Sequence, residues 1–121
     1  MDEVRPLRVL LVDDNEMGSE LLAEFLALSN LETRCAANAA EALELATEFA
    51  PDAVLLDILL PDMDGYQLAK RLLDHPNPPR IYALSGLARQ DRRDGSANLF
   101  TGWIEKPADP DALVAILRQA A

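Results

Sequence analysis

The chain has one cysteine, one histidine and only 11 basic residues against 21 acidic ones. Each scarcity removes a class of function. A lone Cys35 cannot close an internal disulfide, which excludes a disulfide-built scaffold and suits a reducing compartment. Cys35 lies in the short segment Thr33-Arg34-Cys35-Ala36, where a buried, inert thiol is expected. The net charge of −10 leaves no basic footprint for direct nucleic-acid binding and favours a protein or metal partner. No apolar run approaches the roughly 20 residues of a membrane span, and the acidic, polar start carries no secretory signal. The chain is therefore expected to be cytoplasmic, without membrane insertion. No glycine-lysine phosphate loop and no Gly-x-Gly-x-x-Gly occurs, so no nucleotide cofactor is implied. The single histidine, His75, closes a helical segment and reads as a solvated residue helped by the helix dipole.

What is present is apolar patterning. Half of the 121 residues are hydrophobic and they are spread throughout, enough for one domain with its own core. Five apolar segments alternate with five helix-like ones. Strands are predicted at 8–12, 31–36, 53–57, 80–84 and 101–105. The helix predicted over 15–29 places Met17, Leu21, Leu22, Phe25, Leu26 and Leu28 at helical spacing, and that stripe is expected to be core. Asn38 is expected to cap a helix over about 39–50 that closes before Pro51. Asp64-Gly65 opens a helix to about Asp74, and Pro76, Pro78 and Pro79 then mark a rigid loop. A helix over about 88–97 is the poorest, interrupted by Gly95. Asp109-Pro110 opens the last helix, carrying Leu113, Val114, Ile116 and Leu117. Glu41, Glu44 and Glu48 fall on a solvated helix face. The alternation implies a parallel sheet with right-handed crossovers and helices on both faces. No repeat, linker or low-complexity tract divides the chain, so residues 1–121 are read as a single domain with no output domain after it.

In such a sheet the site lies outside the carboxyl ends of the strands. Asp13-Asp14 end the first strand, Asp57 the third, Ser85-Gly86 the fourth and Glu105-Lys106-Pro107 the fifth. The second ends in Ala36-Ala37 and offers nothing. Three aspartates, a hydroxyl and a lysine thus converge on one rim. Two carboxylates about 4 Å apart repel by roughly 4 kcal/mol at an effective dielectric near 20. Lys106 supplies one counter-charge, which is not enough for three acids. A hard divalent cation with oxygen ligands supplies the rest, and Mg²⁺ suits carboxylates with phosphate oxygens. The rim has no cysteine or histidine for a zinc-type site. Carboxylate, Mg²⁺, lysine and hydroxyl together suit phosphoryl transfer, with Asp57 as the nucleophile that forms an acyl phosphate.

These pieces resemble a known family over essentially the whole chain. Val12-Asp13-Asp14-Asn15, the run Leu55-Leu56-Asp57-Ile58-Leu59-Leu60-Pro61-Asp62-Met63-Asp64-Gly65, Leu84-Ser85-Gly86 and Glu105-Lys106-Pro107 are similar to the motifs of receiver domains of two-component response regulators. Each piece alone is weak, and four in order on the right elements are strong. The resemblance implies a flavodoxin-like (βα)5 sandwich with sheet order 2-1-3-4-5. It implies that Asp57 is the phosphoacceptor, Asp14 a direct Mg²⁺ ligand, Asp13 a ligand largely through water, and the backbone carbonyl of Leu59 the third protein ligand. Ser85 resembles the switch hydroxyl and Lys106 the lysine that pairs with the phosphoryl group, with a cis Lys106-Pro107 bond. Trp103 stands where the family most often has tyrosine or phenylalanine as an aromatic switch, and it is larger. The implied partners are a sensor histidine kinase or a histidine phosphotransfer protein as donor. A downstream protein would read the face built by the 88–97 helix, the fifth strand and the last helix. The chain could be a stand-alone receiver or a piece of a hybrid kinase.

Blander readings stand beside these. One of Asp13, Asp14 and Asn15 is expected to cap the first helix. Ser85 alone is an ordinary loop hydroxyl, Lys106-Pro107 alone a turn, and Pro61 and Gly65 are loop and helix-entry residues. The runner-up function is a Mg²⁺-dependent phosphohydrolase working through an aspartyl phosphate. Such enzymes commonly place a second acid two residues after the nucleophile, where this chain has Leu59, and no substrate cap is encoded. A receiver fold that takes no phosphate is argued against by the intact acids and lysine. On this reading the protein catalyses only its own phosphotransfer and dephosphorylation. Leu59 and Leu87 are apolar at two positions that in the family influence water attack on the acyl phosphate. The phosphorylated protein is therefore expected to lose its phosphoryl group slowly; a half-life of seconds for the purified protein would contradict this.

Overall fold

The computed structural model describes residues 6–58, 60–85, 100–105 and 109–119. Leu59, Lys106, Pro107 and the expected helix over 88–97 lie outside the described residues. Five parallel strands form one sheet in the order β2-β1-β3-β4-β5. They are β1 (Leu7–Val12), β2 (Leu31–Ala36), β3 (Ala53–Asp57), β4 (Arg80–Ser85) and β5 (Gly102–Glu105). The described helices are α1 (Glu16–Leu28), α2 (Ala39–Phe49), α3 (Gly65–Leu73) and α4 (Pro110–Gln119). This is the flavodoxin-like order, and the five expected strands and the four described helices fall within a residue or two of their predicted places.

The helix starts are set locally by side chains that take the free N–H groups of a first turn. Asn15 caps α1 through its Oδ1, which accepts from Gly18 N at 3.2 Å. Asn38 caps α2 by accepting from Glu41 N at 2.9 Å, and Asp64 caps α3 by accepting from Tyr66 N at 2.8 Å. Asp109 accepts from Asp111 N at 3.1 Å at the start of α4. At its far end α2 stops at Ala50, which takes a left-handed conformation with φ 52°, immediately before Pro51.

The sheet is buried on both faces, as continuous apolar strands require. Alternate residues of β1 and β3 serve different layers. Leu10, Val12, Val54 and Leu56 pack with Ala42, Leu68 and Leu72 of α2 and α3. Val9, Leu11, Ala53 and Leu55 pack with Leu26, Leu113 and Leu117 of α1 and α4. A side chain of this size contributes about 1.5–3 kcal/mol when fully buried.

The α1 stripe differs from expectation. Leu26 is fully buried and Leu22 packs partly against the core, but Met17, Leu21 and Leu28 are 77%, 64% and 87% exposed. At 3.6 residues per turn, Met17, Leu21 and Leu28 fall within roughly 40° of one another, on the side opposite Leu26. The helix is apolar on two sides, and the sheet can cover only one. Cys35 is also corrected: it is exposed on β2, an edge strand, rather than buried. Its sulfur is partly covered by α1, where Sγ donates to Ser19 O at 3.7 Å. Desolvation and then the negative charge of Glu20 push the thiol pKa up, which disfavours the thiolate. Glu41, Glu44 and Glu48 are exposed, as expected of a solvated face.

The two sides of α1 give a direct stability contrast. Leu26→Ala is expected to lower the unfolding free energy by about 2–5 kcal/mol. Leu21→Ala is expected to stay within about 0.5 kcal/mol of the parent. Urea unfolding of the two variants side by side checks this.

Candidate functional site

Sheet register brings the acids together. Val12 of β1 is paired with Leu56 of β3, so Asp13 and Asp57 are the next residues on adjacent strands. Neighbouring strands lie about 4.8 Å apart. Asp57 is in turn paired with Leu84 of β4, one residue before Ser85. One carboxylate oxygen each from Asp13, Asp14 and Asp57 lies within 4.8 Å of the others. Asp57 is 7% exposed, Asp13 is half-buried and Asp14 faces solvent.

Backbone contacts hold the chain at Asp13 and directly after Asp57. Asp13 N–H donates to Ala36 O at 3.0 Å, so the end of β2 contributes a carbonyl where no side chain was expected to act. Asp13 Oδ1 accepts from Asn15 N at 3.0 Å, which turns the chain into α1. Ile58, directly after Asp57, donates its N–H to Leu84 O at 3.2 Å. The Ser85 backbone is paired with Glu105 at the end of β5. Lys106, Pro107 and Leu59 carry expected roles but lie outside the described residues, so the lysine, the cis bond and the carbonyl ligand are not located here.

Trp103 lies half-buried in β5. Its ring meets Phe100 edge-on at 5.9 Å, and Phe100 meets Tyr66 of α3 edge-on at 5.6 Å. Pairs of this geometry contribute about 0.5–1.5 kcal/mol beyond area burial. The expected switch residue thus belongs to an aromatic chain that reaches back to the first turn of α3.

The loop between β3 and α3 contains two features that sequence reading passed over. Gly65 donates its N–H to Ile58 O at 3.0 Å, closing the loop at its base. A Cβ on Gly65 would sit 2.7 Å from Ile58 Cα and 2.8 Å from Ile58 O, so this helix-entry residue has to be glycine for the two backbones to meet. Asp62, at the loop tip, accepts from Ala39 N at 2.9 Å and Ala40 N at 3.2 Å. These hydrogen bonds, the one from Ala39 foremost, hold the Asp62 carboxyl below its ordinary pKa. The glycine could have been suspected from its place between a loop and a helix. The Asp62 contact gave no local signal, because its partners lie 23 and 22 residues away.

The donor set fits a hard divalent cation. All three groups of the cluster are carboxylates and one is buried, a donor set that suits such an ion.

Fold and site define a parallel, doubly wound domain with an acidic centre at the carboxyl ends of its inner strands. Comparison with known proteins narrows this. The chain matches the response regulator receiver domain over residues 9–118. It is 35% identical over 115 residues to the transcriptional regulatory protein SrrA of Staphylococcus aureus, covering 92% of this chain and 48% of that protein. It is 32% identical over 114 residues to the regulatory protein AtoC of Escherichia coli, covering 93% of this chain and 25% of that one. The chain therefore spans half or less of the length of these relatives. Among solved structures, a CheY-like receiver domain from Methylobacillus flagellatus superposes with a TM-score of 0.87 at 28% identity, covering 96% of this chain and 99% of that one. The chemotaxis response regulator CheY4 of Vibrio cholerae gives 0.86 at 26% identity, with the same coverage of 96% and 99%. The chain belongs to the response regulator receiver domain family. Receiver domains are signalling domains of two-component systems, and the family generally uses Mg²⁺. No described helix is long and apolar enough to cross a membrane.

The Asp62 contacts carry a pH signature. A carboxyl whose pKa is lower folded than unfolded binds fewer protons in the native state. Its stabilisation is present above the ordinary value near 3.9 and declines as pH falls through that value toward the depressed native one. Because Asp62 is solvent-exposed the effect is small. The unfolding midpoint of Asp62→Asn is expected to fall less steeply than that of the parent as pH is lowered from 5 to 3 (roughly the window around the ordinary carboxyl value).

Proposed function

We propose that this receiver domain is a phosphorylation-controlled switch that takes a phosphoryl group from a phosphohistidine onto Asp57. The observation that carries the reading is the cluster of Asp13, Asp14 and Asp57 within 4.8 Å at the strand ends, with Asp57 buried. A carboxylate oxygen of Asp57 attacks the phosphorus. The bond between phosphorus and the donor imidazole nitrogen breaks, and its electron pair leaves with the imidazole. The product is an acyl phosphate on Asp57 and a free donor histidine.

The chain's own groups divide the remaining work. Asp14 directly, Asp13 largely through water, Asp57 and the Leu59 carbonyl would hold Mg²⁺, which when bound offsets negative charge on the transferring group. Lys106 pairs with a phosphoryl oxygen, and the Ser85 hydroxyl donates to another. Burial of Asp57 limits the access of water that would otherwise hydrolyse the product.

The donor is a sensor histidine kinase or a histidine phosphotransfer protein in the cytoplasm. The phosphoryl group adds about −1.5 to −2 units of charge at a site that already holds three acids. That change biases the face made by residues 88–97, β5 and α4 between two states, and a downstream protein reads it. Trp103 is the aromatic group on β5 through which the change is felt. The domain is not an enzyme acting on a separate substrate, and it does not itself bind nucleic acid.

Trp103, the only tryptophan, supplies the test. Its fluorescence is expected to change on titration with Mg²⁺ and again on adding beryllium fluoride or acetyl phosphate. Intact mass is expected to show a base-labile phosphate adduct that chelation of Mg²⁺ prevents. Asp57→Asn is expected to abolish the adduct. A wild-type protein with neither a Mg²⁺-dependent signal nor an adduct would refute the proposal.

A further inference from the structure

We infer that Asp62 is a positioning residue for the phosphoacceptor loop, acting by clamping the loop tip to the first turn of α2. The inference rests on the reading of Asp57 as phosphoacceptor and extends it to a residue with no expected role.

The N-terminus of α2 has donors that no intrahelical carbonyl can reach. Asn38 takes Glu41 N at 2.9 Å, and Ala42 N already bonds to Asn38 O at 3.1 Å. The two donors between, on Ala39 and Ala40, go to the two oxygens of Asp62 at 2.9 and 3.2 Å. A carboxylate there also meets the positive end of the helix dipole. Charge-assisted hydrogen bonds of this kind are roughly twice as strong as neutral ones.

A helix cap need not come from so far away, and Asn38 already fills the cap position. The consequence for the loop is what distinguishes Asp62. The loop leaves Asp57 through Ile58 and is closed at its base by Gly65 N bonding to Ile58 O. Leu60 and Met63, on either side of the tip, pack partly on the core layer shared by α2 and α3. Asp64 at its exit caps α3. Base and exit are therefore tied at the loop's two ends, and Asp62 ties its tip to α2. Groups that support a metal site from behind its ligands typically cost 10–100-fold in metal affinity or activity when removed, and the tie at Asp62 is expected to act in that sense through the loop.

The experiment compares Asp62→Ala, Asp62→Asn and Asn38→Ala with wild type. Mg²⁺ affinity is read by Trp103 fluorescence, the phosphorylation rate with acetyl phosphate, and stability by urea unfolding. Asp62→Ala is expected to weaken Mg²⁺ binding and slow phosphorylation by about tenfold or more. Asp62→Asn keeps one acceptor but turns a donor toward the other N–H, so an intermediate loss is expected. Asn38→Ala removes the helix's own cap without touching the loop. It is expected to lower the urea midpoint while leaving Mg²⁺ affinity and rate within about twofold of wild type. Wild-type affinity and rate in Asp62→Ala, or an equal loss in Asn38→Ala, would overturn the inference and leave the proposed function standing. An inert wild type would overturn the proposed function itself, and this inference with it. If Asp62→Ala does not fold, Asp62→Asn alone decides.

Discussion

Electrostatic crowding at the strand ends is the constraint on which the rest of the structure depends. Three carboxylates lie within 4.8 Å, one of them only 7% exposed. Two such charges about 4 Å apart repel by roughly 4 kcal/mol at an effective dielectric near 20, before solvent screening. The backbone beneath the acids, which cannot spread, holds them together. Val9 to Val12 and Ala53 to Leu56 are buried almost completely, and the two strands they form lie side by side in the interior of the sheet. A slip of one residue would turn every one of those side chains into the wrong layer. The apolar core therefore supplies the rigidity that the polar site lacks.

The same framework connects Asp57 to other parts of the fold. Ile58 is bonded to Leu84 of β4, and β4 is paired with β5, which carries Trp103. A second connection runs outside the sheet. Tyr66 follows the Asp64 cap at the exit of the loop between β3 and α3, and its ring touches Phe100, which touches Trp103. Backbone and aromatic routes thus start beside the same aspartate and meet on one strand. The indole is packed between them rather than standing free at the surface.

How much of this was legible in the sequence depended on how local its cause was. Asp57 could be read because four apolar residues precede it and because every neighbouring strand also ends in a polar group. Asn38, Asp64 and Asp109 could be read as caps because a cap acts within three residues of itself. The α1 stripe was misread because Met17, Leu21 and Leu28 have the same periodicity as Leu22 and Leu26, and periodicity does not say which side meets the sheet. Cys35 was misread for a related reason, since a short mixed strand does not reveal that it lies at an edge. Asp62 could not be read at all. Its partners are the backbone amides of alanines on another helix, which carry no side-chain signature.

The loop after β3 is held at its base by Gly65 against Ile58, at its tip by Asp62 against α2, and at its exit by Asp64 on α3. Side chains along the loop can vary while the ties hold, but a residue inserted or deleted between Ile58 and Gly65 changes the spacing of the groups that make them. Length, more than composition, is therefore the property of this segment that evolutionary drift is least free to change.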